Sequence, residues 1–119
     1  MKLDHIVLLV GSLEKSLPYY EALLPLLGFE KSREHVWGNA DGVYLDFKEA
    51  EAGLPGYERY GVGLNHMGFT APDIASLEHV RDTMAAAGFE VPDVQGFGGT
   101  RALFMKDPDG IRFEVTVYG

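Results

Sequence analysis

The order of apolar and polar residues changes period several times along the chain, and it does so twice in the same succession. From Lys2 to Val10, the residues Leu3, Ile6, Val7, Leu8, Leu9 and Val10 form a nearly continuous β-favouring run, the pattern of a strand covered on both faces. Gly11 and Ser12 end it. Ser12 is placed to cap a helix whose apolar positions Leu13, Leu17, Tyr20, Leu24 and Leu27 keep the i, i+3, i+4 spacing of one buried face. Pro18 is expected where a first turn gives way to the main helix, and Pro25 to bend the last turn before Gly28. A polar-rich strand or two follow, and then turn chemistry over residues 38–42. Val43, Leu45 and Phe47 next alternate with Tyr44, Asp46 and Lys48, so the aliphatic set takes one face of a strand and the polar set the other.

The succession then repeats. Leu64-Asn65-His66-Met67-Gly68-Phe69 echoes Leu3-Asp4-His5-Ile6-Val7-Leu8 sixty-one positions later. Asp73 is placed to cap a helix with apolar positions Ile74, Leu77, Val80, Met84 and Ala87, and Gly88 closes it as Gly28 closes the first. Gly110-Ile111-Arg112-Phe113-Glu114-Val115 echoes Gly42-Val43-Tyr44-Leu45-Asp46-Phe47, at an offset larger by about eight residues, which fall in the segment holding Pro92 and Gly96 to Gly99. The repeated unit is a strand, a helix and then two or three antiparallel strands. The expectation is an α+β fold of two βαβββ modules (residues 1–49 and 64–119) in a single domain, joined by a Gly-rich linker over 50–63. Their sheets would form a cup-shaped, partly closed β-sheet around a central cavity.

Composition narrows the function classes. A chain of 119 residues, 46% hydrophobic and 24% charged, can bury one core and is neither disordered nor a membrane protein by composition. No apolar run approaches the ~20 residues that span a bilayer. The first residues enter a strand pattern without the features of a secretory signal, so a cytoplasmic location is expected. No cysteine is present, which removes thiolate nucleophiles and cysteine zinc sites and restricts any metal to nitrogen and oxygen ligands. The net charge of −8 opposes nucleic acid and anionic membranes as partners.

Taken singly, a strand histidine such as His5 or His66 is more often a hydrogen-bonded, half-buried residue than a ligand. The repeat raises its significance. When two copies of a module pair about a pseudo-twofold axis, residues at matching positions approach that axis, which would gather His5, His66, Asp46 and Glu114. Two imidazoles and one or two carboxylates suit Fe(II), Mn(II), Ni(II), Co(II) or Zn(II), with open positions for substrate or water. The plainer reading neutralises the inward acids with Arg112 or an inward Lys48. Gly96-Phe97-Gly98-Gly99-Thr100 lacks the ending and the following helix of a phosphate loop and reads as a hairpin or mobile loop. His35 and His79 have no matching histidine, and His79, beside Glu78 and Arg81, is expected to be exposed.

The pattern resembles the vicinal oxygen chelate superfamily, which includes glyoxalase I, type I extradiol dioxygenases, fosfomycin-resistance proteins and bleomycin-binding proteins. The resemblance covers nearly the whole chain. It rests on Leu3-Asp4-His5-Ile6 with Ser16 and Tyr19-Tyr20 before Leu27-Gly28-Phe29, on His66 with Phe69 and Ala71-Pro72-Asp73, and on Asp107-Pro108-Asp109-Gly110 before Phe113-Glu114. It implies His5, His66 and Glu114 as ligands of a divalent metal, with Asp46 at the step where glyoxalase I carries a glutamate that is both ligand and base. Asp46 and Glu114 are then the candidate catalytic carboxylates. Aspartate reaches about 1.5 Å less far than glutamate, which leaves a direct or a water-bridged contact open. The resemblance also implies a homodimer and a small-molecule substrate presenting two neighbouring oxygens. Lyase or isomerase chemistry is narrowly favoured over ring-cleaving oxygenation. The competing class is a metal-free protein that sequesters a small or cationic drug, for which the inward acids and Tyr44, Tyr57, Tyr60 and Tyr118 would be the binding groups.

Overall fold

A computed structural model describes all residues, 1–119, as two compact units, Met1–Gly56 and Tyr57–Gly119. The first unit contains β1 (His5–Val10), α1 (Leu13–Leu23) running on into a 3-10 turn (Leu24–Leu27), β2 (Phe29–Arg33), β3 (Val36–Asn39) and β4 (Tyr44–Glu49). The second contains β5 (His66–Thr70), α2 (Ile74–Ala86), β6 (Gln95–Phe97), β7 (Thr100–Lys106) and β8 (Arg112–Val117). The expected βαβββ order therefore occurs twice. Each unit forms one four-stranded mixed sheet, in the order β1-β4-β3-β2 and β5-β8-β7-β6. In both, the first strand runs parallel to the last, and the helix and two strands between them supply the long connection that parallel pairing needs.

The helix ends follow local chemistry. Ser12 accepts a hydrogen bond from the Lys15 backbone N–H, and Asp73 one from that of Ser76 at 2.7 Å. The Ser76 side chain and backbone together hold the Asp73 carboxyl below its ordinary range. Gly28 and Gly88 leave their helices at φ +89° and +94°, a conformation that suits glycine. Pro18 departs from expectation, since α1 starts at Leu13 and continues through it. Pro25 instead lies in the 3-10 turn, where the helix tightens before Gly28.

The turn that launches the last strand of each unit is the same structure made twice. The Asn39 side chain accepts from the backbone N–H groups of Asp41 and Val43, and Asp107 from those of Asp109 and Ile111. Gly42 and Gly110 close these turns at φ +74° and +87° by donating to the carbonyls of Asn39 and Asp107. This fixes the phase of β4 and β8, and so the face on which Asp46 and Glu114 emerge.

One face of each sheet packs on its helix. Leu8, Val10, Leu45 and Phe47 are buried together with Tyr19, Tyr20 and Leu23 of α1, and the Tyr20 and Phe47 rings lie 4.3 Å apart. Leu103, Met105, Phe113 and Val115 meet the α2 stripe Leu77, Val80 and Met84 in the same way. The opposite faces carry the candidate site residues. Contrary to the reading of β1 as covered on both faces, Val7 is 43% and Leu9 58% exposed, because only the Leu8 and Val10 side packs on α1. No helix is long and apolar enough to cross a membrane.

Candidate functional site

Strand register puts a histidine and an acid on the open face of each unit with the same offset. On β1 and β4, His5 is the partner of Tyr44 and Val7 that of Asp46; on β5 and β8, His66 is the partner of Arg112 and Gly68 that of Glu114. The acid therefore lies opposite the position two residues beyond the histidine in both copies.

In the second unit the two side chains meet. Nε2 of His66 lies 3.2 Å from Oε2 of Glu114, with 48% and 24% of the respective side chains exposed. Their neighbours define what this contact is. The Asn65 amide donates through Nδ2 to the Arg59 carbonyl at 2.8 Å, which turns its oxygen Oδ1 to His66 Nδ1 at 2.7 Å. A carbonyl oxygen only accepts, so Nδ1 donates to Asn65, and Nε2 is the ring nitrogen turned to Glu114. Glu114 is oriented in turn by the buried Thr116, whose hydroxyl donates to Oε1 at 2.9 Å. A lone pair and a carboxylate oxygen facing each other are repulsive until a cation, either a proton or a metal ion, lies between them. The donor set, one imidazole nitrogen and one carboxylate oxygen with outer partners already fixed, fits a divalent metal.

In the first unit the arrangement is looser. His5 Nδ1 donates to the Asp4 carboxylate at 2.7 Å, which again leaves Nε2 as the free nitrogen. Asp46 makes no hydrogen bond or ion pair with His5, and Val7 and Val36 are its cross-strand neighbours. His5 and Asp46 line a cavity of about 490 Å³ with Asp4, Ser32, Arg33 and Tyr44. Within either unit, no three potential ligands gather at one point. The pairs differ for two reasons: aspartate is the shorter acid, and the residue opposite it is valine where the second unit has Gly68.

Of the other residues, His79 is exposed on α2, as expected. His35 adopts φ +63° in the turn between β2 and β3, with its ring 3.4 Å from the Glu34 carboxylate. The segment over residues 96–99 is a hairpin in which Phe97 pairs with Thr100. Tyr57 donates its hydroxyl to the Asn65 carbonyl, fixing the approach to β5, and Arg59 lies over the exposed Tyr60 ring at 4.9 Å. Sequence reasoning missed Asp4, Asn65 and Thr116 as orienting residues. A signal for the first two was present, since both histidines follow an Asp or Asn.

Replacing Asn65 with leucine should remove the acceptor that fixes the His66 tautomer. Outer partners of this kind typically contribute 10–100-fold to metal affinity, so a weakening of about that size is expected in a calorimetric Zn(II) titration, with little change in the apo melting temperature. An unchanged affinity would show that the Asn65 contact is incidental.

The comparisons agree with this architecture. Residues 2–115 match the family model of the glyoxalase/bleomycin resistance protein/dioxygenase superfamily. YqjT of Bacillus subtilis is 30% identical over 95% of this chain and 96% of its own length, and lactoylglutathione lyase of Haemophilus influenzae is 31% identical over 96% and 90%. The crystal structure of a candidate glyoxalase from Bacillus halodurans superposes with a TM-score of 0.83 at 25% identity, covering 98% of this chain and 95% of that one. The chain belongs to the glyoxalase/bleomycin resistance protein/dioxygenase superfamily.

Proposed function

We propose that this chain is a cytoplasmic, divalent-metal-dependent enzyme in which His5, His66 and Glu114 hold the ion and Asp46 serves as fourth ligand or general base. The reading is carried by the contact of His66 Nε2 with Glu114 Oε2 at 3.2 Å, in which Asn65 holds Nδ1 and so turns Nε2 to the acid. The matching Asp4 contact, which leaves Nε2 of His5 free, supports it. Fe, Mn, Ni, Co and Zn all suit these donors. A bound ion of this kind supplies Lewis-acid polarisation of two neighbouring substrate oxygens.

The acids supply proton transfer. A carboxylate at Asp46 or Glu114 takes a proton from a hydroxyl-bearing carbon next to a carbonyl and returns it to the carbonyl carbon, while the hydroxyl proton passes to the former carbonyl oxygen, an isomerisation with no net oxidation. Lyase or isomerase chemistry is favoured over oxygenation by the H. influenzae relative, a lactoylglutathione lyase. The direct test loads the chain with Zn(II), Ni(II), Mn(II) or Fe(II) and measures bound metal and its loss in His5→Ala and His66→Ala. Failure of all four ions to bind near stoichiometry overturns the enzyme reading.

The drug-binding alternative draws on one observation, that the 490 Å³ cavity presents Asp4, Asp46 and the Tyr44 ring together. It predicts tight binding of an aromatic cation by metal-free protein, weakened in Asp46→Asn.

Two more outcomes follow from the metal reading. Asp46→Glu lengthens the weakest donor, and an affinity gain on the order of tenfold is expected by calorimetry as an outer partner becomes a direct ligand. An affinity unchanged or lowered would assign Asp46 a role away from the ion. A homodimer is also proposed, since Val7 and Leu9 leave apolar surface open; light scattering should give twice the 13.1 kDa chain mass, and a monomer would contradict it.

A further inference from the structure

The residue that holds the His66 ring also holds the chain leading into β5. Asn65 donates through Nδ2 to the Arg59 carbonyl at 2.8 Å and accepts at Oδ1 from His66 Nδ1 at 2.7 Å, while its own backbone carbonyl takes the Tyr57 hydroxyl. One planar amide therefore serves two structures, and it serves both in a single orientation. If the segment lifts, the amide is free to turn and the imidazole loses its fixed acceptor. The residue at the matching position in the first unit is Asp4, which accepts from His5 but has no side-chain N–H to give a neighbouring segment.

Little else holds residues 57–64. They form no helix or strand, and the Gly61 N–H closes a turn on the Glu58 carbonyl at 3.2 Å. Tyr60 is 82% exposed and Val62 fully exposed, so apolar burial does not anchor the segment, and a stretch so held opens at low free energy. Gly63 lies in the left-handed region at φ +123° with open space where a side chain would be, which makes it a hinge before β5. Arg59 walls a cavity of about 70 Å³ together with His66 and Glu114. We propose that residues 57–64 form a strap latched to the His66 site through Asn65, so that seating of the strap and orientation of His66 are one equilibrium. Tyr57 and Asn65 are its positioning residues. By linkage, whatever binds at Nε2 of the oriented ring favours the seated strap, and lifting the strap weakens that binding by the same factor.

The latch stands without a metal; its response to a divalent ion rests on the metal reading above. Trypsin reads the strap at the Arg59–Tyr60 bond, which is cut when Arg59 leaves its cavity and its carbonyl leaves Asn65, at a rate that follows the open population. In metal-free, full-length protein, Asn65→Asp keeps the acceptor for His66 and removes the donor to Arg59, and it should raise cleavage there about tenfold. His66→Ala leaves the bond to Arg59 in place but frees the other end of the amide, and an increase of about threefold is expected. The double variant should be cut no faster than Asn65→Asp alone, because both changes act through one amide. Cleavage after Arg81 on α2 should not change in any variant. Zn(II) should slow cleavage at Arg59 in the parent but not in Asn65→Asp, with calorimetry recording whether the ion binds. Absence of Zn(II) binding would sink the metal reading alone, since the metal-free rates decide the latch. A parent cut as fast as Asn65→Asp, a His66→Ala rate equal to the parent's, additive effects in the double variant, equal acceleration at Arg81, or bound Zn(II) without protection would each overturn the proposal.

Discussion

His66→Ala is expected to lower divalent-metal affinity by more than about 100-fold, because loss of a direct ligand should exceed the 10–100-fold typical of outer partners. The expectation follows from three contacts. Asn65 commits Nδ1 as a donor, Nε2 points to Glu114 at 3.2 Å, and Thr116 holds the far oxygen of Glu114. Alanine removes the only nitrogen in that set and leaves Glu114 anchored but alone. Folding should survive, since the His66 side chain is half exposed and the β5 ladder to β8 runs through backbone groups. A calorimetric titration with Zn(II), paired with thermal melts of apo protein, checks both statements. Metal binding equal to that of the parent would remove His66 from the site.

Asp107→Ala should cause the largest loss of stability that the turns predict. The side chain is 5% exposed and accepts from the backbone N–H groups of Asp109 and Ile111, at 2.9 and 2.8 Å. Alanine strands the buried Ile111 donor and leaves the Asp109 N–H, on an exposed residue, to water. The buried Ile111 donor left unsatisfied costs about 1–3 kcal/mol and the more exposed Asp109 donor less, so a total of about 2–4 kcal/mol is expected, or roughly 10–20 °C in melting temperature for a chain of this size. The first unit provides the control, because Asn39 does the same work with an amide oxygen. Asp107→Asn should accordingly retain most of the stability. A melting temperature for Asp107→Ala within about 3 °C of the parent would mean that water replaces the carboxylate at small cost.

Much of the fold was legible because its signals are local. Ser12 and Asp73 cap their helices, Gly28 and Gly88 end them, and the turns over 39–42 and 107–110 close as their residue types demand. The alternation of Leu45 and Phe47 with Tyr44 and Asp46 gave the facing of β4 without a structure. The repeat put His5 and His66, and Asp46 and Glu114, at matching positions of matching strands, although only His66 and Glu114 touch.

What stayed illegible depends on register and side-chain direction. A run of apolar residues does not reveal which face stays open, and so Val7 and Leu9 on β1 were read as covered. Sequence spacing identified Asp46 as the shorter acid, but not that Val7 lies opposite it while Gly68 lies opposite Glu114. Pro18, expected where a first turn gives way to the main helix, lies inside an α1 that is continuous from Leu13 to Leu23, with Tyr19, Tyr20 and Leu23 buried beneath it.

X-ray absorption of the Zn(II)-loaded protein distinguishes the proposed ligand set, His5, His66 and Glu114 on one ion, from any other. One zinc per chain is expected, with two imidazole nitrogens and two or three oxygens, at ~2.0–2.1 Å for nitrogen and ~2.0–2.2 Å for carboxylate oxygen. Zinc carrying a single imidazole, or two zinc ions per chain, would contradict it.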